Sequence, residues 1–108
     1  MTDTSKNVIR ISIGYFEPEK ADQVQSLLDN EFKNSLIPAI KKLSGNINYS
    51  VGIDREKFCM TNVSVWQTKE DALQMVSLKE MLEMRNIFES LGLKFIEITN
   101  HAVLWQLP

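Results

Sequence analysis

The chain has 108 residues, 44% of them hydrophobic and 24% charged, and its 12 Lys plus Arg stand against 14 Asp plus Glu. This describes one globular domain with a core of its own, and excludes disordered, collagen-like and low-complexity chains. A formal net charge of -2 gives no basic excess for a nucleic-acid partner, and no stretch reaches the roughly 20 apolar residues that span a bilayer.

Residues 1–108 read as a single domain, with residues 1–7 expected to be flexible. Met1–Asn7 is polar and lacks the apolar centre of a signal peptide, so a soluble, cytoplasmic protein is expected. Cys59 is the only cysteine, which leaves no intrachain disulfide and no multi-cysteine zinc site.

Val8–Tyr15 is β-branched and alternates, with Ile9, Ile11, Ile13 and Tyr15 on one face of a strand. Pro18 then opens a helix, flanked by Glu17 and Glu19. Val24, Leu28, Phe32, Leu36 and Ile40 recur every fourth residue as the stripe of a long amphipathic helix. Pro38 is expected to kink or break it, and Gly45 to follow its end.

Ile47, Tyr49, Val51 and Ile53 alternate as a second strand, and 54–57 form a charged hairpin loop. The third strand, 58–67, places Phe58, Met60, Asn62, Ser64 and Trp66 on one face and Cys59, Thr61, Val63 and Val65 on the other. Thr68 and Asp71 resemble a capping box before a second helical region. Its phase slips near Ser77, which predicts two pieces or a bend, and Gly92 ends it. A last strand is expected over 94–106, with Asn100 on its apolar side marking a bulge.

The order βαββαβ predicts an α+β, ferredoxin-like domain: an antiparallel four-stranded sheet with both helices on one face. The other face is also apolar. Its simplest cover is a second copy of the chain, giving a homodimer.

Three features resemble the dimeric α+β barrel superfamily, and within it the antibiotic biosynthesis monooxygenase type domains. These are the βαββαβ order at this length, the segment Asn62-Val63-Ser64-Val65-Trp66 closing strand three, and a helix beginning directly after that Trp. The resemblance implies a monooxygenase-like enzyme without cofactor, acting on a small aromatic or polyketide-like substrate. Asn62 and Trp66 resemble an Asn and a Trp that the family's quinone-forming oxygenases place in the substrate cavity, and they are the candidate catalytic pair. Haem-degrading relatives carry an iron-ligating histidine in the second helix. Here that stretch reads Leu73-Gln74-Met75-Val76-Ser77-Leu78, so haem degradation is not expected, and neither is a metal.

The residues themselves support two readings. Asn62 and Trp66 share a sheet face, roughly 13 Å apart at about 3.3 Å per residue, so their donors reach opposite ends of one ligand. A Trp on a strand facing a helix layer is more often core than site, and Asn62 either bonds a neighbouring loop or faces a cavity. Met60, Met75, Arg85 and Phe88 are the candidate substrate-binding residues. Arg85 reaches inward to an anionic ligand or snorkels at the surface. His101 is a titratable base or a structural hydrogen bonder. With no strong acid–base constellation, the rival to the enzyme is a non-catalytic small-ligand-binding or stress-response domain that takes an apolar or aromatic ligand.

Overall fold

The structure, a computed structural model, describes residues 6–107. β1 (Val8–Tyr15) is followed by a 3-10 turn at Pro18–Lys20, the helices α1 (Ala21–Leu27) and α2 (Lys33–Lys41), and the hairpin β2 (Asn46–Asp54) and β3 (Cys59–Trp66). The short helix α3 (Lys69–Leu73) and the longer α4 (Lys79–Ser90) come next, then β4 (Lys94–Phe95) and β5 (Thr99–Ala102). The sheet order is β2-β3-β1-β4, with β5 continuing beside β1, and every pairing is antiparallel. This is the expected ferredoxin-like α+β arrangement.

α1 and α2 form one continuous helical run joined by a π-helical turn, Leu28–Phe32. A strict four-residue repeat drifts by about 40° per step on a helix of 3.6 residues per turn. The wider π turn takes up that drift and keeps Val24, Leu28, Phe32, Leu36 and Ile40 all buried. The irregularity therefore lies at 28–32 and not at Pro38, where a break was expected. Pro38 sits inside α2, because burial of Leu36 and Ile40 on either side outweighs the one missing backbone bond.

The hairpin loop is held by Asp54, whose Oδ1 accepts from the backbone N–H groups of Glu56 and Lys57, both at 2.9 Å. It delivers Phe58 with φ of 57°, a left-handed conformation that a bulky residue adopts only under restraint. The restraint comes from Phe16, whose N–H donates to the Phe58 carbonyl at 3.0 Å and whose ring meets Phe58 edge-on at 6.3 Å.

Thr68 Oγ1 caps α3 by accepting from the Asp71 N–H at 3.1 Å. The predicted slip near Ser77 is real: a 3-10 turn at Gln74–Val76 separates α3 from α4. The last strand differs from the expectation. From Gly14 to Ile11 on β1 is three steps, but their partners Phe95 and Thr99 are four apart. The extra residue puts the bulge at 96–98 and not at Asn100, and regular pairing stops at Ala102 rather than running to 106.

The expected flexibility of 1–7 falls mostly outside the described residues. Within them, Asn7 is buried, and its carbonyl accepts from the Val103 N–H at 2.9 Å.

Register assigns the faces. The helices cover Val8, Arg10, Ser12 and Gly14 of β1 and Met60, Asn62, Ser64 and Trp66 of β3. Ile9, Ile11, Ile13, Cys59, Thr61, Val63 and Val65 point to the helix-free face and are half-buried. Beyond β5, Leu104, Trp105 and Leu107 are exposed. No described helix is long and apolar enough to cross a membrane.

Candidate functional site

Pairing across four strands aligns Tyr49 with Ser64, Ser64 with Arg10, and Arg10 with Asn100. The next row sets Val51 beside Asn62 and Asn62 beside Ser12. All of these lie on the helix-covered face, so a polar band runs beneath the second helical region where an apolar core is the usual filling.

Above that band lies a cavity of about 170 Å³. Arg10, Ser12, Tyr49, Asn62 and Ser64 form its floor. Met75, Met81, Arg85 and Phe88 descend from the second helical region, Phe32 from the π turn, and Phe95 and Ile98 from the last strand. The break at 74–78 matters here, because it lets Met75 approach from one helical piece and Met81 and Arg85 from the next.

Each polar group has a definite state. The Tyr49 hydroxyl donates to Asn62 Oδ1 at 2.6 Å. That fixes the carboxamide and leaves its Nδ2 donors without a protein partner among the described residues. They are not sealed in either, since no fully buried side-chain polar atom there lacks a partner. Burial pushes the Tyr49 phenol well above its usual range, with Arg10 opposing the shift, so it remains a protonated donor. Burial likewise lowers the Arg10 pKa, with Tyr49 raising it in partial compensation. Arg10 Nη1 donates to Asn100 Oδ1 at 3.1 Å.

Met60, Met75, Arg85 and Phe88 all line this cavity, as does Asn62. Arg85 also bonds Glu89 through Nε at 2.9 Å and lies over the Phe95 ring at 4.8 Å. Trp66 is the exception. It is fully buried in the core and does not line this cavity. Its indole N–H donates to Ser64 Oγ at 2.8 Å, so it reaches the cavity only through that serine. Tyr15 is exposed on the helix-free face. His101 pairs with Ile9 on that same face, exposed, with Nε2 at 2.8 Å from Thr99 Oγ1. No base at His101 can reach the cavity from there.

Arg10, Ser12 and Ser64 are lining residues that the sequence reading passed over. The available signal was Asn100, a polar residue out of phase on an apolar strand face, since it stands opposite Arg10. Among the described residues, no three His, Cys, Asp or Glu side chains cluster closely enough to hold a metal ion. A larger groove of about 420 Å³ runs between the long helix and the edge strand β2. Its polar lining, including Gln25, Asp29, Lys33 and Lys41, is ordinary helix surface and brings no convergent donors together.

No family model matches the sequence, and no curated protein is detectably similar to it. Solved structures do share its fold. A proposed antibiotic biosynthesis monooxygenase from Deinococcus radiodurans superposes with a TM-score of 0.72 at 16% identity, over 94% of this chain and 96% of that one. Rv0793 from Mycobacterium tuberculosis gives 0.72 at 14% identity, over 95% and 100%. SnoaB, a cofactor-independent oxygenase from Streptomyces nogalater, gives 0.66 at 13% identity, over 95% and 98%. The chain has the fold of the antibiotic biosynthesis monooxygenase-like proteins, and at these identities the likeness is one of fold.

Proposed function

We propose that this protein is a cofactor-independent, monooxygenase-like enzyme that oxidises a small aromatic substrate in the cavity beneath α4. The observation that carries this reading is the 2.6 Å bond from Tyr49 to Asn62, which fixes an amide donor on the polar floor of a chamber whose helix-side walls are largely apolar. In such chemistry the substrate supplies both electrons. A phenolate transfers an electron to dioxygen, the radicals combine, and the ring peroxide loses water. For a phenol the balance is ArH(OH) + O2 → quinone + H2O, with one atom of the dioxygen in each product. The protein's part is to bind the ring, exclude water and stabilise the oxyanion.

Asn62 donates to that oxyanion, Met60, Met75 and Phe88 pack the ring, and Arg85 sits at the α4 wall. Trp66 is a positioning residue, acting through Ser64. SnoaB, which shares the fold, lends the reading its reaction class.

The test is oxygen uptake by the purified protein with phenols and hydroquinones. Protein-dependent consumption is expected, and Asn62→Ala is expected to lower kcat by about 10²–10³, as removal of an oxyanion donor does elsewhere. No uptake above the non-enzymatic rate would overturn the reading. One observation favours a second function, a non-catalytic binding domain for a small aromatic ligand: the lone histidine lies on the opposite sheet face. Binding without oxygen consumption selects that alternative.

The working unit in either reading is a homodimer closed by the helix-free sheet face. Its support is the run of half-buried Ile9, Ile11, Ile13, Val63 and Val65, together with the exposed Leu104 and Trp105 beyond it.

A further inference from the structure

The charges around the cavity do not balance. Arg10 is only 8% exposed, yet none of the described ion pairs includes it. The side chain that bonds it, Asn100, is neutral. Its other cavity neighbours Ser12, Ser64, Asn62 and protonated Tyr49 carry no charge. Arg85 is different, because Glu89 and the face of Phe95 already compensate it. A guanidinium does not shed its proton in a protein, so a residue only 8% exposed carries a positive charge with no counter-ion among the described residues. Holding it so is costly unless something of opposite charge is brought to it.

The geometry suits such a guest. One Nη of Arg10 is tied back to Asn100, which fixes the plane of the fork. A guanidinium has five N–H donors, and the rest of the group borders the cavity beside the Asn62 amide. The volume sets the size. A cavity of about 150 Å³ takes up benzene, and this one, at about 170 Å³, has room for one ring and a small acidic group. Met75, Met81, Leu82, Phe88 and Ile98 supply apolar walls for the ring.

We propose that the cavity takes a monocyclic aromatic acid, its anionic oxygens on the Arg10 guanidinium and its ring among Met75, Met81 and Phe88. The proposal rests on reading this cavity as the ligand site, but not on oxygen chemistry. It narrows the substrate from any small aromatic or polyketide-like molecule to a single-ring anion.

Benzoate and benzamide have the same shape and differ in charge, so calorimetric titration of the full chain with each isolates the arginine. Benzoate is expected to bind about tenfold or more tightly than benzamide, the increment of a charge-assisted hydrogen bond. Asn100→Asp places a carboxylate beside Arg10 as an internal counter-ion. It is expected to lower benzoate affinity about tenfold or more, with benzamide binding unchanged and the fold intact. Arg10→Met is expected to abolish the preference and Arg10→Lys to keep part of it. Should Arg10→Met fail to fold, Asn100→Asp still decides.

Equal binding of the two ligands by the unaltered protein overturns the anion assignment while leaving the cavity a ligand site. Undiminished benzoate affinity in folded Asn100→Asp overturns it as well. If neither ligand binds at millimolar concentration, the proposal falls, and the cavity reading falls with it unless phenols bind or turn over. Selective benzoate binding without oxygen uptake on any phenol removes the oxygenase reading and keeps this one.

Discussion

Arg10 on β1 and Asn100 on β5 stand directly opposite each other on the helix-covered face, joined by one bond of 3.1 Å from Nη1 to Oδ1. The contact joins the first strand to the last, just beyond the bulge at 96–98. The extra residue at 96–98 turns Asn100 toward the cavity side. Were the β4 register continued without it, Thr99 would stand opposite Arg10.

Replacing Asn100 with Leu keeps the volume but leaves the guanidinium without its described acceptor. A buried charged donor deprived of its partner costs about 1–3 kcal/mol. Urea unfolding of Asn100→Leu is expected to show a loss in that range with an unchanged m-value. A loss below a few tenths of a kcal/mol would mean that Arg10 finds another acceptor, and that the cavity is less electrostatically demanding than the geometry indicates.

Tyr49 gives a prediction in pH. Burial raises its phenol pKa above the ordinary value of 10. Above pH 10 the unfolded chain releases this proton while the folded chain keeps it, so the unfolded state binds fewer protons and stability falls as pH rises. The contribution is complete below pH 10 and declines above it, by up to about 1.4 kcal/mol per pH unit. Other groups titrate in this range too, so the measurement is a difference: denaturant unfolding of the parent and of Tyr49→Phe from pH 8 to 11. The parent is expected to lose stability more steeply. Parallel curves would show that the phenol is not held protonated by the fold.

The element order and the two sheet faces are legible in the sequence because alternation and four-residue spacing report burial directly. The site is legible only in part. Asn62, Met60, Met75, Arg85 and Phe88 can be picked out by their shared face or helix. Arg10 cannot, because it stands between Ile9 and Ile11 and reads as the solvent side of a half-buried strand. In the fold those isoleucines face away from the helices and Arg10 faces them, which only pairing with β3 and β5 reveals. Trp66 shows the converse limit. Its position on the strand is readable, but the bond to Ser64 that turns its indole into the core depends on a rotamer, on which alternation is silent. The sequence pattern sets the bulge at Asn100 and not at 96–98 for a related reason: Asn100 is out of phase through its partner across the sheet.

Gly45 is a place where conformation and space coincide. Its φ is +75°, and an added Cβ would run into the Asp71 carboxylate, which also accepts from Ser44 Oγ at 3.0 Å. Gly45→Ala is therefore expected to destabilise by about 1–2 kcal/mol from backbone strain alone, with a further loss from displacing Asp71. Gly52→Ala is the control, since a methyl there meets only Thr61 Cγ2 at 3.7 Å. Thermal melting should separate the two clearly, with Gly52→Ala neutral or slightly stabilising. Similar melting temperatures would place the strain elsewhere in the turn.

Val63 tests the proposed homodimer. It lies on the helix-free face between Ile11 of β1 and Ser50 of β2, near the middle of the sheet. If two copies pack these faces together, an Asp at this position becomes a charge buried without a partner, at a cost of several kcal/mol. If the face is open to water, the same charge is well solvated and costs little. Sedimentation velocity on the parent is expected to give twice the 12.4 kDa chain mass, and Val63→Asp is expected to shift it to one chain. Circular dichroism should be unchanged, because Val63 makes no part of the helix-side core. Val63→Asp should also leave benzoate binding in place, since Val63 and the cavity lie on opposite faces of the sheet. A parent that sediments as a monomer refutes the dimer, and the isoleucine face would then need another cover.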